Sequence, residues 1–590
     1  MLNNLKKNEL TIWFGLILFG GLYSQSNLGE AGLYLPFNVV VWTLISLFII
    51  YTIHRQTRLK IFVVNPFLSF LSFTLILIFS ISLINQAALI EDVLLTAAAI
   101  LGVAGFVYAM AQYQVTKIEL KACLEILVFV AFLQAIIGLI QVFDRSLWVY
   151  LTVFEYAPLS ISKGIPLGSF QQVNMFASFM AVAIVSIGVL VIHFSKHLNI
   201  RLSFVLLLSS FFCYMLFITG SRAGLLGLSV GVMVLFFIVY KVKKSSVYKP
   251  FILFILSIVF GFLLALMYTP AGNGLESVGY KMVRVSDGAD ARQMLFTVAI
   301  LQFFDAPLFG QGFGNYLNSF LTLDKGIEAS SPLFKYTIKG FVHPHNEFLY
   351  WLINSGVVVL MCLLFLIWKF VGAFRLSNDI LMNLSILAIV IPLIIQANLT
   401  YMFTLSVVHL FLLICFIPFM VSSLNRERSF LIPNKLFILL LPFLIMLFGL
   451  FISACIHTLV STKEVIEFND RHLFNQAKTK EEAFNTVYLK YASDNPIYKD
   501  GARKSMLLMV DEALDKQNVY EVIQFIRWIN QYEYLLGEKA FLKKLITSYL
   551  FIKREDLALK LFNEKRNVLD EIDQNRFNRV FSKVSNVSGE

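Results

Sequence analysis

Three short polar clusters interrupt a chain dominated by apolar runs, and each contains residue types that can handle an anion or a proton. Gly168-Ser-Phe-Gln-Gln-Val-Asn174 brings the amides of Gln171, Gln172 and Asn174, which both donate and accept hydrogen bonds, to the entry of one apolar run; the same segment would also serve as an ordinary helix start. Gly220-Ser-Arg-Ala-Gly224 leaves Arg222 between two apolar runs, where its five-donor fork could snorkel to water or grip a phosphate. In the third cluster, Asp290-Ala-Arg-Gln293 puts Arg292 at a helix start, where free amides favour an anion, although a solvated helix face would look the same. Further along, Val342-His-Pro-His-Asn-Glu347 stands directly before an apolar run. His343 and His345 carry the side chain that exchanges a proton near neutral pH, with a reference value of about 6.5. Two histidines flanking a proline could instead bind zinc, but no third ligand cluster accompanies them, so no metal or cofactor is expected. Pro307-Leu-Phe-Gly-Gln-Gly-Phe-Gly-Asn315 holds a GxGxG pattern without the preceding strand that a dinucleotide fold requires. Arginines that neutralise a diphosphate and a histidine that accepts a proton from an alcohol suit removal of a group from a lipid phosphate.

The elements that must position these clusters are membrane helices. Of 590 residues, 58% are apolar and only 14% charged, too few charges for a soluble globular protein. Apolar runs near the twenty residues needed to cross a bilayer begin at about Thr11, Asn38, Pro66, Val93, Ala122, Val173, Leu202, Ala223, Phe251, Asn346, Ile380, Phe403 and Lys435, giving about thirteen spans in an all-α polytopic protein. The first run follows Lys6 and Lys7 but lacks a small-x-small cleavage site, so it reads as a retained helix. One set of alternate short loops is rich in lysine and arginine, whereas the opposite set holds only Arg145, Lys163 and Arg222. That bias puts the amino terminus in the cytoplasm, and an odd number of spans puts the carboxyl tail outside with a long loop over about 269–345. Within that loop a helix is expected over about Ala289–Phe304, with Met294, Val298 and Leu301 on one face.

Charge separates the chain into two parts. Of 48 basic and 37 acidic side chains, 27 and 17 precede Leu459, leaving 21 and 20 in the much shorter remainder. The net charge of +11 therefore belongs almost wholly to the membrane part, which disfavours a nucleic-acid partner. We divide the chain into a transmembrane domain, 1–459, and an outward-facing helical domain, 460–590. The tail shows helical periodicity at Ala483, Val487 and Tyr491, at Val522, Phe525 and Ile529, and at Leu557, Leu561 and Phe562, as in stacked helix pairs. Cys123, Cys213, Cys362, Cys415 and Cys455 all lie inside apolar segments without CxxC spacing and read as small buried hydrophobes.

Gln-Gln-Val-Asn174, Gly-Ser-Arg222-Ala-Gly, Ala-Arg292 with its apolar helix, Pro-Leu-Phe-Gly-Gln-Gly-Phe-Gly and His345-Asn346 before a membrane helix follow one another in an order that resembles the O-antigen ligase and polymerase superfamily. Within it, the chain is similar to the bacterial protein O-oligosaccharyltransferases of the PglL type, over about Gly168 to Tyr401 and in its helical tail. The resemblance implies a periplasmic donor, an oligosaccharide on undecaprenyl diphosphate, and an enzyme of the inner membrane that needs neither metal nor nucleotide sugar. It would make the domain at 1–459 catalytic and the one at 460–590 periplasmic. It implies that Arg222 and Arg292 hold the diphosphate and that His345 is the catalytic base, with His343 an additional candidate. Gln172 or its neighbour Gln171 corresponds to a functional glutamine, and Tyr401 to a tyrosine of the same branch. Asn174 and Asn346 are candidates for positioning. The acceptor would be a Ser or Thr hydroxyl of a periplasmic protein such as a pilin.

Close alternatives are a ligase acting on the lipid A core and an O-antigen polymerase, which would share the donor site. A transporter of lipids or solutes is a remoter one, since neither broken helices in matching halves nor midplane charges are visible.

Overall fold

The computed structural model describes residues 9–27, 31–59, 61–64, 66–84, 90–113, 115–143, 165–194, 202–268, 291–313, 343–375, 379–421, 428–431, 434–473, 489–495 and 497–587. The chain divides into two compact units, Met1–Ile456 and His457–Glu590. The first is built from α1 (Glu9–Gly20), α2 (Pro36–Leu59), α3 (Pro66–Ile84), α4 (Ile90–Ala111), α5 (Lys117–Phe143), α6 (Val173–Phe194), α7 (Leu202–Ile218), α8 (Arg222–Val242), α9 (Ser245–Met267), α10 (Ala291–Asp305), α11 (Glu347–Arg375), α12 (Ile380–Ala397), α13 (Met402–Leu405), α14 (Val407–Val421) and the part of α15 (Asn434–Leu473) up to Ile456. Among the described residues, eight of these helices are long and apolar enough to cross a membrane, and the other five expected spans coincide with the shorter apolar helices at α1, α3, α4, α7 and α14. Helices dominate because a hydrocarbon solvent offers no partner to a backbone amide or carbonyl. The protein is thus an all-α, polytopic membrane protein.

One small departure is an antiparallel pair between β1 (Ile61–Val64) and β2 (Arg428–Leu431), in register Ile61 with Leu431 and Val64 with Arg428. It ties the connection after α2 to the connection after α14. Neither four-residue segment is distinctive alone, and each becomes a strand only through the other.

α6 is the centre of the unit: its apolar window is buried on every side. α8 approaches it through small residues. A Cβ at Gly224 would lie 2.7 Å from the Cβ of Ala177, and one at Gly227 would lie 2.9 Å from the Cα of Pro392 on α12. Such contacts fix α8 between α6 and α12 and so fix Arg222 at its first turn.

α11 breaks at Gly356, whose φ of 70° and ψ of −167° belong to glycine alone. The loop after α10 fills the break with backbone. Gln311 N–H donates to Ile353 O at 2.8 Å, Gly312 N–H to Asn354 O at 3.0 Å, and Val357 N–H to Pro307 O at 2.8 Å. The glycine-rich segment therefore repairs a broken helix. On α10 the buried face is Leu295, Val298, Ala299 and Gln302, one position round from the expected stripe: Leu301 is exposed, and the side chain of Met294 lies outside the described residues. Packing against α11 selects this face over the more hydrophobic one.

The second unit comprises α16 (Lys490–Asp494), α17 (Lys499–Asp515), α18 (Val519–Ile529), α19 (Lys539–Phe551), α20 (Glu555–Lys565) and α21 (Glu571–Val587). Val522, Phe525 and Ile529 are buried as their spacing requires, and Phe562 packs with Ala558, Leu542, Ile546, Phe577 and Phe581. Tyr491 is exposed, contrary to the expected face, because α16 is too short to bury a stripe. Ala483 and Val487 lie outside the described residues. Two hairpins, α17 with α18 and α19 with α20, share one turn. In each, the middle linker residue is left-handed, Gln517 at φ 56° and Lys553 at φ 59°. The next amide then reaches back to the helix: Asn518 N–H to Ala513 O and Arg554 N–H to Tyr549 O, both at 2.8 Å. Because side chains pay a steric cost in that conformation, Gln517→Gly and Lys553→Gly should each stabilise this unit by about 0.5–1 kcal/mol. Slower hydrogen exchange across 499–565 in the full chain checks this, and faster exchange would show that the side chains hold the turn.

Candidate active site

The first cluster is held by a clamp from α5. Gln134 and Gln141, two turns apart on one face, reach the bend at Gly168–Phe170. Gln141 Oε1 accepts from Leu167 N–H at 3.0 Å and Gly168 N–H at 2.8 Å, while its Nε2 donates to Gly168 O at 3.0 Å. Gln134 Oε1 accepts from Ser169 N–H at 2.9 Å. Phe170 is buried among Phe37, Phe179 and His409. The bend ends on Gln171 in a left-handed conformation, φ 56°, and among the described residues the Oε1 atoms of Gln171 and Gln172 are buried without a hydrogen-bond partner. Buried acceptors of this kind are completed by a ligand or by water. Gln141→Leu would orphan three backbone groups, at about 1–3 kcal/mol each, and so should lower the melting temperature of the detergent-solubilised protein by several degrees. An unchanged melting temperature would show that the bend is held elsewhere.

The second cluster is bonded to the first. Ser221 caps α8, accepting from Gly224 N–H at 3.3 Å and donating to Asn174 Oδ1 at 2.8 Å. This brings the starts of α6 and α8 together, with half-buried Arg222 directly after the cap. His409 of α14 closes the arrangement from behind. Its Nε2 lies 3.0 Å from both Ser178 Oγ and Met175 O, and its Nδ1 lies 2.7 Å from Ser406 Oγ. The expected span from Phe403 is thus two helices, α13 and α14, divided at Ser406. Arg292 opens α10, and its side chain lies outside the described residues.

The third cluster gathers at the start of α11. Asn346 caps that helix, its Oδ1 accepting from Leu349 N–H at 2.9 Å and its Nδ2 donating to Asn398 O at 3.0 Å. His343 is buried between two tyrosines, with ring centroids 4.4 Å from Tyr350 and 4.7 Å from Tyr401 and rings tilted by 33° and 31°. Its Nδ1 accepts from His345 N–H at 2.9 Å. His345 itself is half-buried and left-handed, φ 56°, with its ring 5.3 Å from that of Tyr401. Burial pushes the His343 imidazole below its ordinary value of 6.5, against the upward pull of Glu347. The two histidines, indistinguishable by type, therefore differ in setting: one is buried with Nδ1 occupied, and the other is half-buried on a left-handed backbone.

Glu347 is the residue that the sequence reading passed over. It is almost fully buried. Its Oε1 accepts from Phe403 N–H at 2.8 Å, its Oε2 accepts from Trp351 Nε1–H at 3.2 Å, and Oε2 lies 3.9 Å from His343 Nε2. The available signal was a carboxylate four residues after a histidine at the head of an apolar helix. Gln134 and Gln141 were passed over as well, although two glutamines on one face of an apolar helix are an equally good signal.

The fold is that of a polytopic membrane protein with polar clusters bearing arginine and histidine at its helix ends. Residues 204–364 match the family model described as O-antigen ligase, from α7 through most of α11. The match places this segment, about a quarter of the chain, in the O-antigen ligase superfamily, whose members are glycosyl-transferring enzymes. The matched segment includes Arg222, Arg292, His343, His345 and Asn346, whereas Gln171, Gln172, Asn174 and Tyr401 lie outside it. No curated protein matches the chain.

Proposed function

We propose that the protein transfers a glycan en bloc from undecaprenyl-diphosphate-linked oligosaccharide to Ser or Thr hydroxyls of a periplasmic protein, a pilin being the model acceptor. The active site and the second unit face the periplasm of a Gram-negative inner membrane, and the amino terminus faces the cytoplasm. The carrying observation is the pairing at the head of α11, where Nδ1 of buried His343 accepts the backbone amide of half-buried His345, whose imidazole acts as the base in this reading. The acceptor oxygen attacks the anomeric carbon as the bond from that carbon to the diphosphate oxygen breaks. The hydroxyl proton passes to His345, and the diphosphate leaves with the bonding electrons while Arg222 and Arg292 balance its charge. In-line displacement inverts the anomeric carbon. Such a leaving group departs readily once shielded, so positioning and cationic groups suffice without a carboxylate pair.

The description of the matching family favours a second reading, a ligase delivering the glycan to the lipid A core, with the polymerase as its neighbour. The helical unit at 457–590 supports the protein acceptor, since stacked helix hairpins offer a surface to a polypeptide. Reconstitution with lipid-linked oligosaccharide and either pilin or lipid A core decides between them. Glycosylated pilin is the expected product. Glycosylated lipid A core with unmodified pilin would replace the proposal by the ligase, and elongation of the lipid-linked glycan by the polymerase.

A further inference from the structure

The carboxylate of Glu347 accepts two hydrogen bonds, from Phe403 N–H of the turn carrying Tyr401 and from Trp351 Nε1–H of α11, and its Oε2 lies 3.9 Å from His343 Nε2, a buried atom without a hydrogen-bond partner among the described residues. The protonation of that ring follows from its other side. Nδ1 accepts the amide proton of His345, so it carries no hydrogen, and the neutral ring bears its proton on Nε2, toward Glu347. The bond from His345 N–H also spans two residues, as a side-chain acceptor does in an Asx turn, and it holds a non-glycine residue at φ 56°.

We infer that Glu347 and His343 form a positioning pair, in which the carboxylate fixes the orientation and tautomer of His343 and the Nδ1 of His343 fixes the backbone that aims His345. Neither residue touches the reacting atoms. This rests on the reading of His345 as the base and adds to it the two groups that set its direction. A carboxylate suits this junction because it is acceptor-only: it takes the two bonded donors and still presents an acceptor toward the Nε2–H of His343. An amide at the same place would turn its NH2 toward at least one of them.

The test uses the full-length protein in proteoliposomes with fluorescent undecaprenyl-diphosphate-linked oligosaccharide and a Ser-containing acceptor protein. Glu347→Gln should lower kcat about a hundredfold with little change in the KM for the donor, the penalty of a misplaced catalytic group. At position 343 the substitutions separate the two ends of the ring. His343→Asn keeps an acceptor where Nδ1 stands and should retain most of the rate, whereas His343→Gln, which matches only the Nε2 end, and His343→Ala should fall as far as Glu347→Gln. An active Gln variant beside an inactive Asn variant would overturn the positioning role and make Nε2 of His343 the working atom. A readout independent of turnover is carbethoxylation by diethyl pyrocarbonate, mapped by mass spectrometry. In the wild type His345 should be modified and His343 protected, and Glu347→Gln should expose His343. Unchanged protection in that variant would refute the role of Glu347. A wild type that consumes no donor would refute the proposed function, while the modification pattern would still decide the positioning pair.

Discussion

Removing the imidazole of His345 should reduce glycan transfer by two to four orders of magnitude, the usual contribution of a general base, while leaving binding of the lipid-linked donor intact. The substitution needs care because the residue is left-handed, φ 56°, a conformation that alanine resists and asparagine tolerates. His345→Asn is therefore the cleaner variant, with His345→Ala as its companion. Both should bind fluorescent donor as the wild type does, and both should lose the limb of the pH–rate profile near neutrality if chemistry limits the rate. Full activity in His345→Asn together with loss in His343→Asn would move the base to His343 and undo the assignment made from the buried ring.

The largest structural effect is expected at Gly356. A Cβ there would lie 2.2 Å from Leu308 O and 2.4 Å from its carbonyl carbon, in a backbone conformation already closed to side chains. Conformational strain alone is worth about 1–3 kcal/mol, and the clash is with main chain that cannot rotate away. Gly356→Ala should thus destabilise the membrane unit by more than about 3 kcal/mol, reducing the yield of monodisperse protein and lowering its melting temperature. Gly372→Ala is the control in the same helix, since no atom lies within 4 Å of a Cβ at that position. Equal stability of the two variants would mean that the loop after α10 does not sit in the break of α11.

The helices were legible because a span needs an uninterrupted apolar run, and each expected start falls on or near a helix. Breaks were less legible. Phe403 begins an unbroken apolar stretch, yet the chain pauses at Ser406, where Ser406 N–H bonds to Met402 O and Asn38 receives the next amide, Val407 N–H, on its Oδ1. Asn38 lies hundreds of residues away, beyond the reach of local periodicity. Residue type alone marked Arg222, His343 and His345. It could not rank the histidines, because the difference between them is one hydrogen bond and two flanking tyrosines. The glycine-rich segment shows the converse: its rejection as a nucleotide loop followed from the missing strand, but its actual role at Gly356 required seeing two backbones in contact. Glu347 was hidden by looking like an ordinary helix start.

The complete enclosure of α6 bears on how the molecule is made. As the ribosome delivers this segment to the membrane, α8, α12 and α14 do not yet exist, so every face of α6 must first be compatible with lipid. Its hydrophobic circumference is then a record of biogenesis rather than of its final surroundings, and Ser178 and Ser186 are the polar atoms it must carry through that interval. Both meet it by donating to their own helix, Ser186 to Val182 O and Ser178 to Met175 O, and Ser178 adds the His409 ring only when a segment some two hundred residues later arrives. Tyr401 and Phe403 are synthesised just before that segment. A nascent chain halted before α14 would already hold both histidines of the α11 loop but could not yet seal the helix bundle behind the glutamine bend, so catalytic competence is deferred until the membrane unit is nearly complete.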